Sequence, residues 1–322
     1  YACRLARASL QAIPVGNYGF SDYLDDDGAG TGPIAITAQV IVDTDGILVD
    51  FTGTAEQVPG NVNCPLSVAA AAVFYVFRCL MPQQTPACAG TFRPIRLQAP
   101  EGCLLNARFP AAVAAGNVET STRVVDVLLG ALAQAMPDRI PAASHGSMNN
   151  LAMGALYADG RRWDYYETIG GGMGASAQGN GLNAVQTHMT NTLNTPVESL
   201  ESHFPLRVRR YQIRRGSGGE GKHRGGDGIV REIEFLEPAT VSLLTERRVL
   251  QPWGLQGGGN GALGRNRLNG ALLPGKITFE VKPQDVLTVE TPGGGGWGGD
   301  KFGNSDFVPY GLESGKSVPD TP

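Results

Sequence analysis

Two stretches of this chain are apolar nearly all round at helical length. Residues 65–81 (PLSVAAAAVFYVFRCLM) and 120–136 (TSTRVVDVLLGALAQAM) leave no polar stripe wide enough for a solvated face, so both are predicted as buried helices. The second is expected to take Thr120 or Ser121 as its cap and to end before Pro137. A further helix is read over residues 2–12. A short one is read in NTPVESLESHF, where Thr195, Pro196 and Glu198 form a capping box with a proline start.

Elsewhere the period is two. ITAQVIVDTDGILVDFTGT and residues 151–167 each alternate on both sides of an Asp-Gly pair, Asp45-Gly46 and Asp159-Gly160, which predicts two hairpins with type I′ turns favoured. GNYGFSDYLDDDG, ahead of the first hairpin, reads as a turn-rich passage. From residue 205 the pattern is almost wholly strand-like: LRVRRYQIRR, GIVREIEFLE, TVSLLTERR, KITFEVKP and VLTVETP, separated by glycines. The expected fold class is α+β. It comprises a mixed α/β part over 1–204 with buried helices and hairpins, a β-rich part over 205–299 with glycine-rich turns, and an extended or disordered tail over 300–322.

Glycine changes this picture most, at 45 of 322 residues against a usual share of about 7%. Many backbone segments must therefore turn tightly or approach closely, and TPGGGGWGG reads as close packing more than as a loose linker. The formal net charge of −4 and the lack of any Lys/Arg block exclude nucleic acid as the expected partner. Five cysteines without CxxC spacing point to reduced thiols in a cytoplasmic protein. The most apolar run is too short for a bilayer span, so no membrane association is expected. With neither an initiator Met nor a signal peptide, the chain is expected to begin inside a longer protein.

The candidate chemistry lies in polar and glycine-rich loops. GSGGEGKH (216–223) is one residue short of a phosphate-binding loop, since His223 stands where Ser or Thr would hold magnesium. Strand-like sequence follows it and Glu220 would repel a polyphosphate, so it reads as a strand-to-strand connection. Arg214 and Arg224 beside it are candidates for an anion or subunit contact. In YYETIGGGMGA, Glu167 precedes three glycines and is either a general base beside an anion nest or a solvated turn acid. QTHMTNTLNTP offers His188 as a catalytic candidate and Asn191 as a substrate contact, and ASHGSMNN offers His145. No histidine spacing supports a local metal site.

In order along the chain, DFTGTAEQVPGNVNCPLSVA, RPIRLQAPEGCLLN, PAAVAAGNVETSTRVVDVLLGALAQAMP, SHGSMNN, YYETIGGGMGA, HMTNTLNTPVESLE, SGGEGKHRGGDGIVR, SLLTERR, PWGLQGG and TPGGGGWG resemble the hydantoinase B/oxoprolinase family. The resemblance runs from about residue 1 to about residue 299. It implies an ATP-dependent system acting on small cyclic amides, organised as a hetero-oligomer. An A-type subunit with an actin-like ATPase fold would bind ATP and Mg and phosphorylate the carbonyl oxygen, and the B-type component would complete ring opening. Ketone carboxylases are close relatives, so ATP-dependent carboxylation stays open, as does a non-catalytic assembly role. The family's divalent-metal ligands belong to a His/Asp-rich region upstream of any match here, so the resemblance carries no metal ligand onto this chain. It also implies that the chain corresponds to a C-terminal portion, inactive alone.

Overall fold

The computed structural model describes residues 1–299; the tail expected over 300–322 lies outside the described residues. The first half is built on a four-stranded sheet ordered β1-β2-β3-β4. In β2 (Ile34–Val42) every second side chain is buried, as the alternation requires. It pairs antiparallel with β1 (Gly16–Leu24) and β3 (Ile47–Asp50), while β4 (Ile95–Gln98) joins β3 in parallel. The first hairpin is where it was expected, but its loop is the four residues between Val42 and Ile47, not a two-residue turn. Asp43 accepts the N–H groups of Asp45 and Gly46 at 2.7 and 2.8 Å, and this side-chain turn replaces the type I′ geometry.

β1 corrects the reading of GNYGFSDYL as turn. Its inward positions are Phe20, Asp22 and Leu24, and the aspartate in the middle hides the alternation. The following Asp25 and Asp27 each fasten a loop by accepting backbone N–H groups, Asp25 from residues 248–250 and Asp27 from Ala29, Thr31 and Gly60.

Helices α1 (Ala2–Leu10), α2 (Leu66–Cys79) and the short α3 (Ala89–Phe92) precede α4 (Ser121–Ala135), which packs on β1, β2 and α2. As predicted, α4 is buried along nearly its whole length, and it carries Arg123 and Asp126 into the interior. Its start departs from the prediction. A π turn over Gly116–Thr120 leads into it, and the hydroxyls expected to cap it point backwards, Thr120 donating to the Val62 carbonyl at 2.5 Å and Ser121 to Asn117 at 2.7 Å.

The second half packs two antiparallel sheets face to face. One is ordered β12-β9-β5-β6 and the other β11-β10-β13-β8-β7. Their strands are β5 (Asn150–Leu156), β6 (Arg162–Glu167), β7 (Leu206–Arg214), β8 (Gly228–Phe235), β9 (Ala239–Leu244), β10 (Arg265–Leu268), β11 (Ala271–Leu273), β12 (Lys276–Val281) and β13 (Val286–Glu290). Strands from both sides of residue 204 share the first of these sheets. Met153, Ile233, Val241 and Leu287 are among the side chains that fill the space between them, with Leu200 of α5 (Val197–His203). α5 forms where it was read, yet no side chain caps it.

Between the two halves the glycine-rich segments stack backbone against backbone. A Cβ on Gly172 would lie 1.9 Å from the Gly226 carbonyl oxygen, and one on Gly294 would lie 2.2 Å from that of Met173. Hydrogen bonds run across the stack from Gly226 N to Met173 O, Gly294 N to Gly226 O and Gly219 N to Gly294 O at 2.8–3.0 Å. GSGGEGKH belongs to this stack and joins β7 to β8, strand to strand, as its context required.

Candidate active site at a buried polar seam

The structure places the sequence-predicted residues in three different surroundings. Glu167, at the end of β6, is neither solvated nor a free base. Its carboxylate is buried and held by Arg231 through Nε–Oε1 and Nη2–Oε2 contacts of 3.1 and 3.3 Å, with the Tyr165 hydroxyl donating at 2.8 Å. Arg231 in turn lies 4.5 Å over the Tyr211 ring, so this acid ties β6 to β7 and β8. Arg214 is likewise occupied, donating to the carbonyls of Leu263 and Thr291. Arg224 pairs with the exposed Glu220 at 3.2 Å, and Asn191 is exposed. Neither arginine, nor Asn191, adjoins the histidines through any observed contact.

His145 and His188 are neighbours, close enough for the charge of His188 to be felt at the His145 ring. His145 is buried on the loop before β5, its Cβ against Gly171 of the glycine run, and its ring faces the backbone of Ser147 and Val185 without reaching hydrogen-bond geometry to either. Burial, and then the neighbouring His188, push its pKa down to about 3, so the imidazole is neutral. Burial also lowers His188, with Asp126 opposing. Its Nδ1 lies 3.4 Å from the Tyr75 hydroxyl and its Nε2 is buried without a partner, as are Gln186 Oε1 and Thr187 Oγ1 on the same loop. His188 holds a left-handed backbone (φ 57°), as do Asn149 (φ 46°) and Arg247 (φ 61°) on adjoining segments. Strain of this kind in non-glycine residues persists only where the surroundings impose it, and it collects at working sites.

Behind the histidines runs a buried charge network that sequence reading did not foresee. Arg247 Nη2 contacts Asp22 and Asp126, each at 2.7 Å. Arg123 reaches Asp22 and Glu246, each at 3.4 Å, and Lys276 reaches Glu246 at 2.5 Å. Arg248 bonds Asn149 and Asn266, and its own N–H meets Asp25. Asp126 thus pairs with Arg247 while its charge is felt at His188, its Oδ1 carrying no hydrogen bond. One sequence signal was available, an Arg and an Asp three apart in a helix apolar on every side.

Glu119, on the π turn, completes the charge balance. Burial, and then Glu246, raise its pKa to about 8, so at neutral pH it is protonated while accepting from Met148 N and Asn150 Nδ2. With Glu119 uncharged, Arg123, Arg247, Arg248 and Lys276 are met by Asp22, Asp25, Asp126 and Glu246, and Lys276 also by Asp26 at 3.6 Å. The folded state keeps a proton that the unfolded chain releases above its ordinary value of 4.5. This contribution is full below about pH 4.5 and is lost as pH rises through about 8, a change of several kcal/mol at roughly 1.4 kcal/mol per unit. Glu119→Gln is expected to melt several degrees higher than the parent at pH 8 and to lose this slope. Melting curves from pH 5 to 9 that run parallel for the two proteins would contradict the assignment.

Among the described residues, no group of three or more His, Cys, Asp or Glu side chains is placed to hold a metal ion. The network acids are committed to guanidinium, ammonium or backbone N–H partners, so no step below passes through a metal. None of the described helices is long and apolar enough to cross a membrane.

Residues 1–300 match the profile of the family described as hydantoinase B/oxoprolinase. The chain is 44% identical over 282 residues to 5-oxoprolinase 1 of Arabidopsis thaliana, covering 86% of this chain and 21% of that one. It is 39% identical over 310 residues to the 5-oxoprolinase of Saccharomyces cerevisiae, covering 90% of this chain and 24% of that one. The ATP-dependent caprolactamase of Pseudomonas jessenii has a similar structure, with a TM-score of 0.82 at 27% identity over 92% of this chain and 54% of that one. The chain therefore spans about a fifth to a half of the length of these relatives.

Proposed function

This chain belongs to the hydantoinase B/oxoprolinase family, and from that premise we propose that it is part of the B-type component of an ATP-dependent cyclic-amide hydrolase. In this reading a partner ATPase activates the ring carbonyl by phosphorylation, and the B-type component completes the ring opening. Supporting it are the relatives named for 5-oxoprolinase and caprolactamase activity. The observation that carries it onto residues is His188, strained, half-buried and neutral, with a buried and uncommitted Nε2.

Ring opening needs a proton removed from the attacking water and one delivered to the departing amide nitrogen, and the acyl phosphate it leaves is hydrolysed by a second water to carboxylate and inorganic phosphate. A neutral imidazole can do both in turn. In the proposal His188 Nε2 performs these transfers, Tyr75 and Asp126 set the ring's orientation and charge, and neutral His145 beside it adds no second positive charge. Glu167, fully paired to Arg231, has no part in proton transfer and holds the strand from which the glycine run departs.

The test uses the full-length enzyme with its ATPase partner and a panel of lactams, hydantoins and 5-oxoproline, following ADP release and ring-opened product together. His188→Ala is expected to lower turnover at least about a hundredfold with an unchanged melting temperature. Full turnover in that variant refutes the catalytic reading. Intact turnover together with a lost complex would instead assign the loop to assembly.

A further inference from the structure

We propose that the outward face of the five-stranded sheet is a docking surface for a second protein whose own face carries acidic groups on either side of a basic ridge. The registers set Arg210, Glu232, Thr288 and Arg267 in one row across β7, β8, β13 and β10. Arg207 and Arg209 extend the arginine column on β7, and Arg265 extends the one on β10. Three strand spacings separate the two columns, about 14 Å. Between them lie Glu232, Glu234 and Glu290, so the face reads positive, negative, negative, positive.

The two signs sit at different heights. Arg209 and Arg210 are 47% and 49% exposed at the side chain, whereas Glu234 and Glu232 beneath them are 8% and 19% exposed. Each of these guanidiniums spends one edge on a carboxylate, Arg210 Nη2 on Glu232 at 2.9 Å and Arg209 Nε on Glu234 at 3.2 Å, and turns the rest of its donors to solvent. Pinned guanidiniums lose less side-chain freedom when a partner's carboxylates arrive. A hollow of about 400 Å³ lies between the columns, floored by Glu232 and Glu290, and it would admit a basic side chain. Leu272, 67% exposed and opposite Arg267, supplies an apolar contact at the rim. The central carboxylates select the occupant. A uniformly anionic polymer would meet Glu232 and Glu290 at the middle of the face, whereas a protein surface can match both signs at once.

This inference rests on the multi-component reading only for the choice of probe, the A-type ATPase subunit. Binding of that subunit to the full-length protein carrying this chain is measured at about 20 mM and about 500 mM salt, between which the screening length falls from roughly 20 Å to about 4 Å. The expected result is that Arg210→Glu/Arg267→Glu weakens binding at least tenfold at low salt and flattens the salt dependence. Arg210→Gln/Arg267→Gln, which removes the charges and keeps polar side chains, gives a smaller loss in the same direction. Arg161→Glu, on the hairpin tip of the other sheet, leaves binding unchanged, and melting curves confirm that all variants fold. If the complex persists undiminished in both double variants, the docking face is wrong and the proposed function stands. If the parent forms no complex at low salt, both fall. Binding of a nucleic acid or heparin that is lost in the same variants, with the subunit complex intact, also overturns the proposal.

Discussion

Arg247→Met is expected to destabilise the chain by about 3–5 kcal/mol, the range for breaking a buried ion pair from one side. Arg247 is 1% exposed, and its removal takes away the two 2.7 Å contacts to Asp22 and Asp126, leaving them only the longer ones to Arg123 at 3.4 and 3.9 Å. Burial alone would raise the Asp22 pKa, but the charges of Arg247 and Arg123 outweigh it and hold the carboxyl below its ordinary 3.8. The stabilisation from Asp22 is therefore present above about pH 4 and fades as pH falls through the lowered value. In Arg247→Met that acid-side dependence should reverse, with the variant gaining stability as pH is lowered from 7 towards 5 while the parent does not. Replacing the acid as well, in Arg247→Met/Asp126→Leu, should recover part of the loss, since an apolar contact needs no counterion. Urea unfolding of the parent and both variants at two pH values checks this, and equal midpoints for parent and Arg247→Met would sink it.

Gly226→Ala should be comparably severe, at or above the roughly 3 kcal/mol upper end of overpacking. Its new methyl would lie 1.9 Å from the Leu182 carbonyl oxygen, and backbone on both sides of the contact is bonded into the stack, so nothing flexible can give way. Gly179→Ala is the control, with nothing within 4 Å of the added carbon. Thermal melts should separate the two by at least about five degrees. A Gly226→Ala protein melting with the control would mean that the glycine layers slide freely.

Much of the scaffold was legible because it depends on local period. The buried helices at α2 and α4, both hairpins and five of the later strands follow from spacings of 3.6 and 2. Glycine excess announced close backbone packing, and TPGGGGWGG does pack that way. β1 was missed because Asp22 stands where alternation calls for an apolar residue, and β4, β10 and β11 are too short for a period to show. The expected caps failed because a π turn runs straight into α4, its Ser121 N–H already bonded to the Gly116 carbonyl, while the Thr120 and Ser121 hydroxyls point back to Val62 and Asn117.

The candidate site divides in the same way. His145 and His188 could be named from polar loops in the sequence, and the fold brings them together. Glu167 could be named as well, but only the fold supplied Arg231, 64 residues away, which turned a potential base into a structural link. The charge network was the least visible, since Asp22, Arg123 and Arg247 lie 101 to 225 residues apart.

The sequence by itself determined the family, the buried helices, the strand periods and the glycine stack, because each is written in side-chain pattern or motif over a short stretch. Only the tertiary structure decided which charges are neutralised, which imidazoles stay neutral and which carboxylate is tied to a counter-charge. Those are properties of burial and of partners met across the fold, and a charged residue's role in an interior is set by the counter-charge that reaches it.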